Sequence, residues 1–207
     1  MQGEQTLWPP RPKRTNRGCT FPPEVLTQAE VMALMAACSD GPMGIRNRAM
    51  IAVLYRSGLR ITETLALLPK DIDLDAGAIR VLHGKGNRSR TVGIDGAACA
   101  MVGSWIEVRA SLGISRAATV FCMADGRRLE SSYVRVMLPR LGRRAGIEKR
   151  VHAHGLRHTH AAELRTECLD IGIISKQLGH RSIATTARYL DHVAPYAVVE
   201  AIRSRSW

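Results

Sequence analysis

Aromatic residues are scarce in this 207-residue sequence, which holds three Trp, four Tyr and two Phe. Its interior must therefore be built from Leu, Ile, Val, Ala and Met. With 45% apolar residues there is ample material for one core. Long hydrophobic runs are missing as well, none approaching the roughly 18–20 residues of a membrane span. The opening Met-Gln-Gly-Glu-Gln lacks the basic-then-apolar order of a secretory signal. Neither a membrane protein nor a secreted one is expected. The five cysteines, Cys19, Cys38, Cys99, Cys122 and Cys168, are odd in number and form no CxxC pair. That spacing argues against a disulfide framework or a zinc ribbon, and for a reducing compartment such as the cytoplasm.

Acidic residues are also short in supply. Eighteen Asp and Glu face thirty Lys and Arg, giving a net charge of +12. A domain this basic attracts a polyanion, and nucleic acid is the commonest one in a cytoplasm.

Residues 1–20 are read as a disordered basic tail. Pro9, Pro10 and Pro12 stand beside Arg11, Lys13, Arg14 and Arg17 with no apolar period. Order is expected from about residue 21 to the end of the chain. Thr27 and Glu30 form a capping box ahead of Val31, Leu34 and Met35. A second helix is predicted from Gly44 to Ser57, buried through Met50, Ile51, Val53 and Leu54 and ended by Gly58. A third runs from Ile61 and stops before Pro69. Asp71–Leu74, Ile79–His83 and Arg90–Ile94 are short β-type segments, and the Gly84-Lys85-Gly86-Asn87 turn predicts a hairpin. From Asp95, a predicted N-cap, the chain is expected to be largely helical, with breaks near Gly113, Asp125-Gly126, Gly146 and Gly172. The fold class is mainly α with a small antiparallel three-stranded β-sheet (α+β).

Residues 139–160 carry six Lys or Arg and one acid, together with His152, His154, His158 and His160. A zinc site would need carboxylate or thiolate company that is missing here, and Arg150 and Arg157 would repel a dication. An anion site fits better, because Arg and His grip phosphate through charged donors at the opening of a helix. Two more segments share this character. Arg60 follows the buried run IAVLY at a helix junction, with Glu63 on the same face to hold it. His180 and Tyr189 are nine residues apart, a spacing that allows both side chains to return to one pocket.

The blocks YRSGLRITE, HGKGNRSR, HAHGLRHTHA, LGHRS and TTARYL resemble, in order and spacing, the signatures of the tyrosine recombinase (phage integrase) family. The resemblance runs over roughly residues 22–195 and implies that family's catalytic-domain fold. It also implies the chemistry, in which a tyrosine attacks a DNA phosphodiester to leave a 3′-phosphotyrosyl link and a free 5′-hydroxyl. Tyr189 matches the nucleophile, and Arg60 and Arg157 the two arginines that clamp the phosphate. His154 matches the histidine that takes or holds the tyrosine proton, and His180 the residue that donates to a phosphate oxygen. Lys85 matches the mobile lysine that protonates the leaving oxygen. Glu63 matches a supporting acid that orients its neighbours. Tyr196 is the one rival nucleophile, while Tyr55 reads as core. Arg88, Arg90, Arg143, Arg144, Lys149 and Arg150 are candidates for DNA phosphate contacts.

The resemblance implies double-stranded DNA as substrate and neither metal nor other cofactor. It also implies a homo-oligomer, two copies on a site and four in synapsis, working on nucleoid DNA. About twenty residues precede the first predicted helix, where most members carry a separate core-binding domain. A minimal recombinase, a catalytic fragment and a protein helped by an accessory DNA-binding partner all fit. The C-terminal residues 197–207, with Val198, Val199, Ile202 and Trp207, are expected to dock on a neighbouring copy. Rival readings are a type IB topoisomerase, a non-catalytic DNA-binding regulator on the same fold, and a zinc hydrolase using the His cluster.

Overall fold

The computed structural model describes residues 24–82 and 89–194, with residues 199, 202, 203 and 205 beyond them. The basic tail, Lys85, Arg88, Tyr196, Val198 and Trp207 lie outside the described residues.

The first helix, α1 (Gln28–Ala36), starts as its sequence dictates. The Thr27 hydroxyl accepts from the Glu30 amide while the Glu30 carboxylate accepts from the Thr27 amide, and Val31, Leu34 and Met35 are buried. Glu30 also accepts from Lys149 at 2.8 Å, and the Leu26 amide donates to the Thr159 hydroxyl at 3.0 Å. The start of the described chain is thus strapped to Lys149 and Thr159, more than a hundred residues away in sequence.

Helix α2 (Pro42–Ser57) is the axis of the molecule. Every residue from Ala49 to Tyr55 is buried. Such all-round burial is the mark of a helix wrapped by others, here α1, α4 (Gly96–Ser111) and α6 (Ala153–Thr166). Gly58 ends α2 at φ +62, and a Cβ there would meet the His160 ring at 2.6 Å. Only glycine meets both demands. The short α3 (Ile61–Ala66) follows, then a 3-10 turn at Pro69–Asp71 and the sheet. The sheet is antiparallel in the order β1 (Ile72–Asp73), β2 (Ala78–Val81), β3 (Arg90–Gly93). Asp95 caps α4 through the Ala98 amide at 2.9 Å, as expected.

Two expectations for the chain after Asp95 need correction. Residues 112–130, predicted to be largely helical, are irregular and end in a single bridge between Cys122 and Arg128. Tertiary pins replace the helix ladder. The Trp105 indole donates to Val120 O, Arg109 donates to Ser115 O and Ala118 O, and the wholly buried Arg46 donates to Cys122 O and the Tyr133 hydroxyl. With Val120, Phe121 and Cys122 fully buried, the segment contributes to the core without regular structure. Gly172 is not a break either, but sits in the first turn of α7 (Ile171–Leu178). The chain breaks at Cys168, which takes φ +59, and restarts at Asp170, whose carboxylate caps the Gly172 and Ile173 amides.

Helix α5 (Ser131–Arg144) packs on α1, α3 and α6. Its Gly142 lies so close to Val151 that a Cβ would stand 2.6 Å away. A second, smaller core joins α6, α7 and α8 (Ile183–Val193) through Ala161, Ala162, Ile174, Leu178, Leu190 and Val193. The residues singled out as a site gather where this small core meets the large one. No helix among the described residues is long and apolar enough to cross a membrane.

Candidate active site

Arg60 stands at the N-terminus of α3, where the chain leaves the left-handed turn at Gly58. Glu63 reaches back one helical turn, its Oε2 accepting from the Arg60 amide at 2.9 Å and its Oε1 from the Arg60 guanidinium at 3.0 Å. The expected Arg60–Glu63 pair therefore forms, but on a buried carboxylate rather than on an open surface. Burial alone would raise the Glu63 pKa. Ion pairing with Arg90 and the bonds from Arg60 outweigh it and hold the carboxyl at about 2.

Arg157, on the second turn of α6, is only 2% exposed. Its Nη1 donates to the carbonyl of Gly58 and its Nη2 to that of Leu178 at 2.6 Å. One guanidinium thus ties the end of α2 to the end of α7, on either side of the site. No carboxylate pairs with it among the described residues. Burial, followed by the charge of Arg60, lowers its pKa to about 10.

His180 follows Gly179, the left-handed cap of α7. Its Nδ1 lies 3.0 Å from the Thr186 hydroxyl and its Nε2 lies 3.3 Å from Arg157 Nη2. Arginine can only donate, so Nε2 accepts here and Nδ1 carries the proton. Burial and the charges of Arg157, Arg60 and Arg90 push this imidazole down to about 4. Thr186 is fully buried one turn before Tyr189 on α8, and its bond to His180 fixes α8 against the end of α7. Sequence reasoning passed over Thr186, although it lies within the TTARYL block.

Tyr189 projects from α8 into this corner. Its ring meets the His180 ring edge-on at 5.2 Å and stacks on His158 at 5.2 Å. His158 in turn touches His154 edge-on at 4.3 Å, so His158 is the ring that bridges Tyr189 and His154. The Tyr189 hydroxyl is buried without a hydrogen-bond partner among the described residues. Burial drives its pKa up to about 12, against the charge and nearby N–H groups of Arg157, which approach the hydroxyl without a well-aligned bond, and against the charge of Arg60. His154 itself is exposed, and desolvation by its neighbours with the charges of Arg157, His152 and Arg60 holds it below the ordinary histidine range.

The structure thus brings together Arg60, Glu63, Arg157, His180 and Tyr189, with His154 one ring away. Two of the expected DNA contacts are otherwise engaged. Arg90 gives both terminal nitrogens to Glu63, and Lys149 bonds Glu30 and Val25 O. Arg143, Arg144 and Arg150 are exposed. Among the described residues no three His, Cys, Asp or Glu side chains converge as a metal cage would need.

Three histidines held neutral by burial give this corner a pH signature. His158, His160 and His180 titrate at about 4, below the ordinary value near 6.5. The unfolded chain binds their protons first, so the stability they confer is complete above pH 6.5 and is lost as pH falls toward 4. For the fully enclosed His160 that loss is about 3 kcal/mol. Urea midpoints measured from pH 7.5 to 4.5 should therefore fall steadily below pH 6.5. A flat profile would contradict neutral, buried imidazoles.

Residues 24–194 match the model of the phage integrase family. The chain belongs to that family. Tyrosine recombinase XerC of Xanthomonas axonopodis pv. citri (strain 306) is 37% identical over 167 residues, which is 81% of this chain and 53% of that protein. The crystal structure of XerA recombinase superposes with a TM-score of 0.78 at 30% identity, covering 91% of this chain and 68% of that one. XerH site-specific recombinase, bound to a palindromic difH substrate after cleavage, gives 0.73 at 26% identity, over 89% and 54%. This phage integrase family chain therefore has the tyrosine recombinase catalytic-domain fold, and it spans about half the length of the curated relatives it matches.

Proposed function

We propose that the chain cuts and rejoins double-stranded DNA as a site-specific tyrosine recombinase. The observation that carries this reading is the buried Tyr189 hydroxyl, close to Arg157 yet without a well-formed hydrogen bond among the described residues, beside two arginines and a histidine delivered by separate segments of the fold. A phenol needs no such surroundings to pack, whereas a nucleophile aimed at a phosphodiester does.

A scissile phosphate enters between Arg60, Arg157 and His180. The arginines stay charged and meet its non-bridging oxygens, offsetting charge as the transition state forms. His180 turns from acceptor to donor, since an arriving anion favours the protonated imidazole that Arg157 disfavours in the free site. Tyr189 Oη forms a bond to phosphorus while the bond to the 5′-oxygen breaks. Ionising a phenol of pKa about 12 in advance at pH 7 would cost about 7 kcal/mol, so its proton leaves as the bond forms. His154 receives that proton, with His158 keeping the tyrosine ring aligned. Lys85 gives a proton to the leaving 5′-oxygen. The 3′-phosphotyrosyl link conserves the backbone bond energy, so attack by a 5′-hydroxyl of a second duplex reverses every step, and neither nucleotide nor metal is consumed.

XerH, with 26% identity to this chain, is bound to a DNA substrate in its solved complex, which supports DNA as the partner here. Strand exchange between two duplexes needs two copies per site and four in synapsis, acting on nucleoid DNA in the cytoplasm. Residues 197–207 are proposed to join neighbouring copies, and an accessory DNA-binding protein is proposed as a further partner.

The test starts from a pool of nicked duplexes with randomised sequence. The protein should form denaturant-resistant adducts with a subset of the pool, and mass spectrometry should place the nucleotide on Tyr189. Adducts on Tyr196, or none from any duplex, would refute the reading. Phosphate contacts are checked separately. Each neutralised phosphate contributes roughly −0.9 to the log–log salt slope of affinity. Replacing the exposed Arg143, Arg144 and Arg150 with Ala should flatten that slope by about 2 to 3, equally for the selected duplex and for random DNA. An unchanged slope would make these arginines ordinary solvated surface.

A further inference from the structure

Arg90 was expected to lie along DNA, and its surroundings give it different work. It opens β3, pairing in register with Val81, and its side chain is 15% exposed. Nη1 donates to Glu63 Oε1 and Nη2 to Glu63 Oε2, both at 2.9 Å, a two-pronged match of fork to carboxylate. Each Glu63 oxygen therefore accepts twice, once from Arg90 and once from Arg60. The same guanidinium packs closely against the Gly179 turn, where a Cβ would stand 2.7 Å from its Cζ and Nε. Gly179 is thus required for close approach as well as for its φ of +65, and His180 comes next in the chain.

We propose that Arg90 is a positioning residue for DNA cleavage: seated on the Gly179 turn, its fork holds Glu63, and through Glu63 it aims Arg60 while sharing the carboxylate's charge. The proposal rests on the reading of the corner as a cleavage site. Its physical basis is a conflict in what Arg60 must do. A carboxylate that bonded Arg60 alone would fix its geometry and also cancel the positive charge that a phosphate needs. One carboxylate shared by two guanidiniums fixes the geometry and leaves an excess of one positive charge. Four N–H donors of Arg60 remain for the phosphate. A buried ion pair is a weak way to gain stability, so stability alone does not account for this arrangement. Lysine does not substitute, because one ammonium cannot span both oxygens.

Arg90→Lys and Arg90→Met are compared with the unaltered chain on a duplex recovered from the randomised pool, measuring single-turnover adduct formation and, separately, equilibrium DNA affinity. Misplacing a group that organises the reacting geometry costs on the order of 10- to 100-fold. We expect losses of roughly ten-fold for Arg90→Lys and a hundred-fold for Arg90→Met, with affinity within about three-fold in both. Circular dichroism checks folding, and if Arg90→Met fails to fold the Lys variant carries the comparison. A wild-type rate in Arg90→Lys would overturn the proposal. So would an affinity loss as large as the rate loss, which would return Arg90 to phosphate contact.

A second readout needs no cleavage. The imidazole of His180, followed by NMR in the free chain, should titrate higher in Arg90→Lys by roughly half a unit or more, as the flat guanidinium leaves the Gly179 turn and the displaced charge is better hydrated. An unmoved midpoint counts against the proposal. If the unaltered chain forms no adduct, the recombinase reading fails by itself, and the titration then decides whether Arg90 organises this corner.

Discussion

Tyr189→Phe should abolish covalent DNA adducts altogether while leaving DNA affinity within about two-fold, because one hydroxyl is removed and no charge. The substitution should not harm the fold. The hydroxyl is buried without a partner among the described residues, and the ring contacts with His158 and His180 do not require it. Burying an unpaired hydroxyl costs roughly 1–3 kcal/mol, so the variant should melt at the same temperature or higher. A gain in Tm together with complete loss of adducts would mark a group kept for reaction at the expense of stability. Adducts persisting in the variant, or a large drop in Tm, would show that the hydroxyl has another task.

Arg157→Met is expected to have the second-largest effect, and its division between activity and stability is the informative part. Removing one preorganised donor to a developing oxyanion typically costs 10²–10³ in rate, and Arg157 supplies both charge and donors, so a loss of about 10³ or more is expected. Stability should fall only modestly. The guanidinium is held charged at 2% exposure with no carboxylate partner, and the drop of its pKa to about 10 corresponds to roughly 3 kcal/mol of penalty on the charged form. Two hydrogen bonds to the Gly58 and Leu178 carbonyls offset that by about 1.5–3 kcal/mol each, and methionine forfeits both while relieving the penalty. The balance runs from about zero to about 3 kcal/mol in favour of the parent. Denaturant midpoints with and without saturating duplex would check this. The free variant should lose no more than about 3 kcal/mol, and the extra stability conferred by DNA should shrink. If the free variant loses 4 kcal/mol or more, Arg157 is chiefly a structural tie.

The behaviour of the two arginines differs for a reason visible in their surroundings. Arg60 has its carboxylate and keeps an ordinary salt bridge, whereas Arg157 has only carbonyl dipoles, which orient it without cancelling its charge. In the proposed reaction a phosphate would supply the counter-charge that Arg157 lacks, and would oppose the burial and the arginine charges that hold His180 low in the free site.

Local rules in the sequence decided a good part of this protein. The Thr27–Glu30 box, the Gly58 stop, the Asp95 cap and the three short strands depend on neighbours within a few residues, so they appear in the structure where the pattern put them. The ordered blocks around Arg60, His154, Arg157, His180 and Tyr189 named the family and marked which side chains would meet. Interactions between distant segments decided the rest. Residues 112–130 lost their expected helix because side chains outside the segment satisfy its carbonyls, Trp105 and Arg109 from the preceding helix and Arg46 from α2, 76 residues before Cys122. Arg90 reads as one more basic residue in a basic sequence, and only the approach of β3 to Glu63 and the Gly179 turn gives it a partner. His158 and Thr186 acquired their places because α8 packs across α6 and α7, which sets rings and hydroxyls side by side from positions up to 31 residues apart. A periodic pattern records which face of an element is buried. Which charge finds which counter-charge is settled only when the faces meet.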